Sequence, residues 1–188
     1  EIFNWLGEHL DVTVNVNFNF LTTPTTEPGD FEGDYFINDD KGYRVTIPPS
    51  EWVARSSSAS CAPMDMLFDH IGSYTDWLGV GAFGGPAYTQ DFFDGINDWW
   101  VPAITEKQGA TEVEVVNEGN LEISGYNTTY VQFTYLFKGI QYVEMTYHIW
   151  RPGEPYSLFR FRLCCREELF TQYEPVFESF LYSVEFPN

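Results

Sequence analysis

Residues 130–186 read YVQFTYLFKGIQYVEMTYHIWRPGEPYSLFRFRLCCREELFTQYEPVFESFLYSVEF, and this stretch decides the fold. Three aromatic-rich runs, Tyr130–Phe137, Gln141–Trp150 and Tyr156–Cys165, follow one another with only short turns between them. In the second run Val143, Met145, Tyr147 and Ile149 alternate with Glu144, Thr146 and His148. In the third, Phe159, Phe161 and Leu163 alternate with Leu158, Arg160 and Arg162. A period of two is the mark of a strand, whose side chains point to opposite faces in turn. The spacing then changes. Tyr173, Val176, Phe177, Phe180, Leu181 and Val184 recur at three and four residues, one apolar face of a helix. Pro175, with Glu174 before it, is expected to open that helix, after a preliminary helical turn in Glu167–Tyr173. Consecutive strands with short connections and segregated helices predict an α+β domain built on an antiparallel sheet.

Working back toward the start, Thr111–Val116 and Asn120–Ser124 read as a hairpin around Glu118-Gly119. Tyr88–Gln108 is predicted to be helical, because Tyr88, Phe92, Ile96, Trp99, Trp100 and Ala103 recur at helical spacing. Thr89 can cap its start, and Pro102 is expected to kink or end it. Asp76–Phe83 reads as a strand stopped by Gly84-Gly85-Pro86, and Met64–Ile71 fits either strand or helix. Ser50–Pro63 is small, polar and turn-rich, a surface loop. Phe31–Ile37 and Tyr43–Ile47 are set to pair across Asn38–Gly42, with Pro48 and Pro49 as the stop. Thr22–Asp30 has no periodicity and reads as a linker. Before it, Val12–Phe20 alternates like a half-buried strand and Glu1–Leu10 fits a short helix. Residues 1–30 are therefore an arm and linker, and 31–188 the α+β domain.

Composition narrows the function classes. Aromatics make up 19% of the chain, which favours pleated, half-buried surfaces over disorder. Nine Lys and Arg face 28 Asp and Glu, a net charge of −19, so nucleic acid and anionic membranes are repelled. No run of about 18 apolar residues is present, so no transmembrane segment is expected. Glu1 in place of Met points to processing: removal of a signal peptide or lipoprotein leader, or simple trimming. With the acidity, this gives an expected extracytoplasmic location and leaves room for a lipid anchor upstream of residue 1. Cys164 and Cys165 are adjacent on a strand and should point to opposite faces, so at most one could meet Cys61; buried thiols are the favoured state.

The tail Tyr173–Phe186 resembles the terminal helix and closing strand of the PsbP-like superfamily. Gly42–Trp52, a strand ending in Pro and then Trp, is similar to that family's first core strand, and Tyr156–Leu163 fits the strand before its last helix. The resemblance covers roughly residues 40–186. It implies an antiparallel sheet with helices on both sides, an α/β/α sandwich. The fold is shared by a photosystem extrinsic subunit, a yeast Ran-binding release factor and bacterial secreted proteins and lipoproteins. It implies binding or assembly roles, and it transfers no functional residue.

The residues themselves assign no catalytic, cofactor-binding or metal-binding group. His9, His70 and His148 are far apart, Ser56–Ser58 and Ser60 form no nucleophile elbow, and no phosphate-cradling loop is present. Asp30, Glu32, Asp34, Asn38, Asp39 and Asp40 offer oxygen ligands without the EF-hand order, so a solvated acidic loop is expected. Asp91, Asp94 and Asp98 read as a hydrated helix face. Phe92, Phe93, Trp99 and Trp100 are too many aromatics for one helix face. They are the candidate ligand or partner surface. The expected function is a non-catalytic extracytoplasmic binding or assembly domain with an unidentified protein partner. One alternative is a carrier of a small apolar or sugar-like ligand between the sheet and the Trp99–Trp100 helix. The other is a carboxylate hydrolase with two acids roughly 5–10 Å apart.

Overall fold

The structure, a computed structural model, describes residues 29–56, 64–73, 75–85 and 87–187. Expectations for Glu1–Leu10, Val12–Phe20, most of Thr22–Asp30 and Cys61 lie outside the described residues.

A seven-stranded antiparallel sheet forms the middle layer. Its strands are β4 (Trp52–Ser56), β5 (Met66–His70), β6 (Trp77–Gly84), β7 (Thr111–Ile123), β8 (Tyr126–Phe137), β9 (Ile140–Trp150) and β10 (Tyr156–Arg166), in the order β4-β5-β6-β10-β9-β8-β7. One face carries α1 (Gln90–Asp94) and α2 (Ile96–Gln108). The other carries α3 (Phe170–Tyr182) and a small sheet of β1 (Asp30–Glu32), β2 (Tyr35–Asn38) and β3 (Tyr43–Thr46). This is the α/β/α sandwich that the resemblance implied.

The α3 side is predominantly apolar. Tyr173, Phe177, Phe180 and Leu181 enter a core with Phe68, Leu78, Val80, Tyr147, Ile149, Phe159, Phe161 and Leu163. Phe180 meets Phe68 and Phe161 edge-on, with ring centroids 5.8 and 5.5 Å apart. Burying that much aromatic area gives the layer its stability. The β2–β3 hairpin is held to it by Asp65. That carboxylate accepts from the Tyr43 hydroxyl at 2.8 Å and the Ala82 N–H at 3.0 Å and pairs with Lys41.

Several local expectations shift. Pro175 lies inside α3, which starts at Phe170 directly after a 3-10 turn at Glu167–Leu169. Burial of Tyr173 and partial burial of Phe170 draw the preceding turn into the helix despite the proline. The helix predicted over Tyr88–Gln108 is broken at Gly95, not at Pro102, and Thr89 caps α1 by accepting from the Phe92 N–H. Past Pro102, Ile104 and Thr105 are still buried, and their packing carries α2 on to Gly109. Part of the expected loop Ser50–Pro63 is strand β4, anchored by buried Trp52 and paired with β5. Met66–His70 resolves as a strand. Phe31–Ile37 is two strands, split where Gly33 takes φ +59°. The expected hairpin at Glu118-Gly119 is one 13-residue strand, β7, and the turn falls at Ser124-Gly125, both with positive φ. Glu118 and Gly119 sit within the ladder, opposite Val131 and Tyr130.

Candidate aromatic and guanidinium site

In antiparallel pairs, directly opposed residues share a face. On the α2 side this register aligns Thr129, His148, Arg160 and Gly81 in one row, and Val131, Thr146, Arg162 and Gly79 in the next. At Gly79 the Leu67 side chain occupies the space a Cβ would take. Glu144, Thr146 and His148 are fully buried, and Arg162 and Arg160 are 2% and 4% exposed.

Hydrogen bonds order this layer. Arg162 pairs with Glu144, its Nη2 2.8 Å and its Nε 3.0 Å from Oε1. Thr146 donates to the same oxygen at 3.2 Å and accepts from the Trp100 indole N–H at 3.1 Å. Arg160 Nε donates to His148 Nε2 at 2.9 Å. An imidazole nitrogen that accepts from arginine carries no proton, so His148 is neutral here. Burial first, then Arg160 and Arg162, hold its pKa well below the usual histidine value. Burial and Arg162 also pull Arg160 down to about 9. The layer thus holds two guanidinium charges against one carboxylate.

Trp100 is the lid on these charges. Its ring lies 3.7 Å from the Arg160 guanidinium carbon and 4.9 Å from that of Arg162, contacts in which the ring face attracts the cation. From Trp100 a circuit of rings runs outward and back: Trp99 at 5.9 Å, then Phe92 at 5.8 Å, Tyr88 at 5.4 Å and Phe83 at 6.2 Å. Phe83 closes it on Arg160, 4.6 Å away. Asn97 fixes the start of α2 to β8, donating to Thr129 Oγ1 and the Tyr130 carbonyl.

Of the four aromatics singled out in the sequence, Trp99 is half exposed and Phe92 partly exposed. Trp100 and Phe93 are buried beneath them, Phe93 stacked on Trp150 at 5.6 Å. Asp91, Asp94 and Asp98 are solvent-exposed on the same helix pair. An open crevice of about 340 Å³ adjoins the circuit at Tyr88 and is lined by Gly85, Tyr88, Trp150, Pro152, Glu154 and Ser157 among others. The space directly between sheet and α2, where a carrier's pocket was expected, is occupied by Trp100 and the arginines. His70 packs against Trp52 and Tyr173. Cys164 and Cys165 are both buried and belong to the α2-side and α3-side cores respectively, opposite faces as expected. Among the described residues no group of three His, Cys, Asp or Glu side chains is placed to hold a metal ion.

Sequence reading missed Arg160, Arg162, Glu144 and His148 as a unit. The available signal was Arg160 and Arg162, two arginines at strand spacing in the otherwise apolar middle of β10.

Comparison of the sequence with family profiles and with curated proteins finds no match. Comparison with solved structures defines the class: the fold is PsbP-like. The cyanobacterial PsbP (CyanoP) of Synechocystis superposes with a TM-score of 0.64 at 14% identity, covering 88% of this chain and 100% of that one. LpqN, described as involved in cell envelope biogenesis of Mycobacterium tuberculosis, gives 0.56 at 10% identity over 77% of this chain and 84% of its own. The Saccharomyces cerevisiae Ran-binding protein Mog1p gives 0.50 at 9% identity over 77% and 90%. At these identities the likeness establishes the fold alone.

Proposed function

We propose that the chain is a non-catalytic, extracytoplasmic binding or assembly domain, and that the Phe92–Trp99 edge of α1–α2 is where a protein partner docks. The observation that carries this reading is a half-exposed tryptophan on a helix pair that is pinned from below. Trp100, next in sequence, is clamped on two arginines, so the Trp99 backbone is already ordered before any partner arrives. Exposed tryptophans on rigid supports are the residues that dominate protein interfaces. Asp91, Asp94 and Asp98 beside it favour a partner with basic groups at the rim. The likeness to a Ran-binding protein and an envelope-biogenesis protein supports binding and the compartment respectively, as does the net charge of −19. No helix among the described residues is long and apolar enough to cross a membrane.

The test is photo-crosslinking in the native cell, with a crosslinking side chain at position 99 or, as a control on the opposite face, at 182. A discrete adduct from 99, absent from 182 and lost on Phe92→Ala, is expected. Equal adducts from both positions would refute a defined docking face. Localisation by fractionation tests the compartment separately.

A further inference from the structure

We propose that Arg160 is the anion-binding point of a site for small organic monocarboxylates with an apolar or aromatic body, entered from the crevice past Tyr88. The charge arrangement is the first support. Arginines this deeply buried are ordinarily neutralised by an acid, as Glu144 does for Arg162. Among the described residues Arg160 forms no ion pair, and its side chain donates one hydrogen bond, from Nε to neutral His148. Among the described residues the acid of this layer, Glu144, is engaged by Arg162. The two Nη groups of Arg160 remain as a planar fork, the geometry that matches the two oxygens of a carboxylate. One surplus positive charge in the layer is balanced by a monoanion.

The surroundings supply the rest of the ligand's chemistry. Phe83 and Trp100 flank the guanidinium, and Tyr88 and Phe92 continue the apolar wall. Such walls suit a hydrocarbon or aromatic body attached to the anionic group. Access is through Tyr88. Alone among the five rings it is carried by the turn between β6 and α1, it is partly exposed, and it forms one wall of the 340 Å³ crevice. Its contact with Phe83 is the widest in the circuit, and Gly85, at φ +115°, lies three residues before it. The proposed entry is by rotation of this one ring, which lines the crevice and touches Phe83, the ring beside Arg160.

The site shares Phe92 with the docking face, but it is read at Arg160 with small molecules and no protein partner, so each can fail alone. The probes are sodium phenylacetate, its neutral counterpart 2-phenylethanol, and inorganic phosphate, titrated into the whole chain and followed by side-chain NMR. Saturable binding of phenylacetate is expected at millimolar concentration or below, with the Arg160 Nε–H signal moving and that of Arg162 unmoved. The alcohol should bind at least about tenfold more weakly, since it forms no charge-assisted fork. Arg160→Lys, which keeps the charge but loses the fork, should weaken phenylacetate by a similar factor. Should that variant not fold, the Arg160 signal in the unaltered chain decides the matter. No saturation, binding indifferent to Arg160→Lys in a folded variant, or phosphate binding more tightly than phenylacetate would each overturn the proposal.

Discussion

The two faces of the central sheet are built from the same strands, one residue out of step, and they differ in kind. On the α3 side, Tyr147, Ile149, Phe159, Phe161 and Leu163 meet four apolar side chains of a single helix. On the α2 side, the alternate residues Glu144, Thr146, His148, Arg160 and Arg162 are buried under Trp100. Apolar contact is non-directional and scales with area, so the first face supplies stability. Hydrogen bonds and ion pairs are directional and contribute little net stability when complete, yet cost heavily when broken. The second face therefore fixes where α2 sits more than how firmly the chain folds. The surface proposed for binding rides on that second face.

The sharpest way to separate the faces is to remove one group from each and then attempt a rescue. Phe177→Ala on the α3 side should cost about 4 kcal/mol, the usual loss for a fully buried aromatic. On the α2 side, Glu144→Leu should cost about 3 kcal/mol, because it strands Arg162 without its carboxylate. Adding Arg162→Met to that variant should restore most of the loss, since an apolar pair of similar volume often replaces an ion pair at no net cost. Equilibrium urea unfolding measures all three. If the double variant is no more stable than Glu144→Leu, the contrast drawn between the faces collapses.

Acidity distinguishes the faces next. In the folded chain His148 is held neutral by burial and by Arg160 and Arg162, while in the unfolded chain it titrates near the ordinary value of about 6.5. Below that pH the unfolded state takes up a proton that the folded state refuses. The stability associated with neutral His148 is thus fully present above about pH 6.5 and falls by about 1.4 kcal/mol per unit as the pH drops. Between pH 6.5 and 5 this amounts to about 2 kcal/mol. His148→Gln keeps an acceptor for Arg160 without the titration. Its unfolding free energy should lose about 2 kcal/mol less than the unaltered chain over that interval. Identical pH dependence in the two proteins would show that the layer is not acid-sensitive through this residue.

The contrast also explains what could be read in the sequence. The α3 face was legible because a one-sided helix opposite alternating aromatics leaves a periodic trace in both partners. Pro175 misplaced its start, since the proline's local penalty of about 3 kcal/mol was outweighed by burying the turn before it. β4 was hidden because a five-residue strand at the sheet edge shows a single deeply buried apolar anchor, Trp52. β7 was hidden because register shifts after Thr111 and Val115 break its alternation and most of its length is exposed on both faces. The α2 face was the least legible. Glu144, Thr146 and His148 look like the wet side of a strand until a helix from forty residues earlier is known to cover them. Of the four flagged aromatics, periodicity could not say that Trp99 and Phe92 would reach solvent while their neighbours turned inward.

The smallest expected effect on folding tests the division of labour most directly. Trp99 is half exposed, and its removal opens no cavity in either core. Trp99→Ala should change the unfolding free energy by no more than about 0.5 kcal/mol, the range of ordinary surface substitutions. Trp100→Ala, one residue on, should cost about 3–5 kcal/mol, because it uncovers both guanidinium groups and leaves Thr146 without its indole donor. Partner adducts formed through a crosslinker at position 92 should vanish with Trp99→Ala in an otherwise stable protein. A Trp99→Ala chain that unfolds as readily as Trp100→Ala would make Trp99 part of the core, and the docking edge would lose its anchor. Stability retained with adducts intact would instead show that Trp99 is not the partner's anchor, while leaving the contrast between the two faces standing.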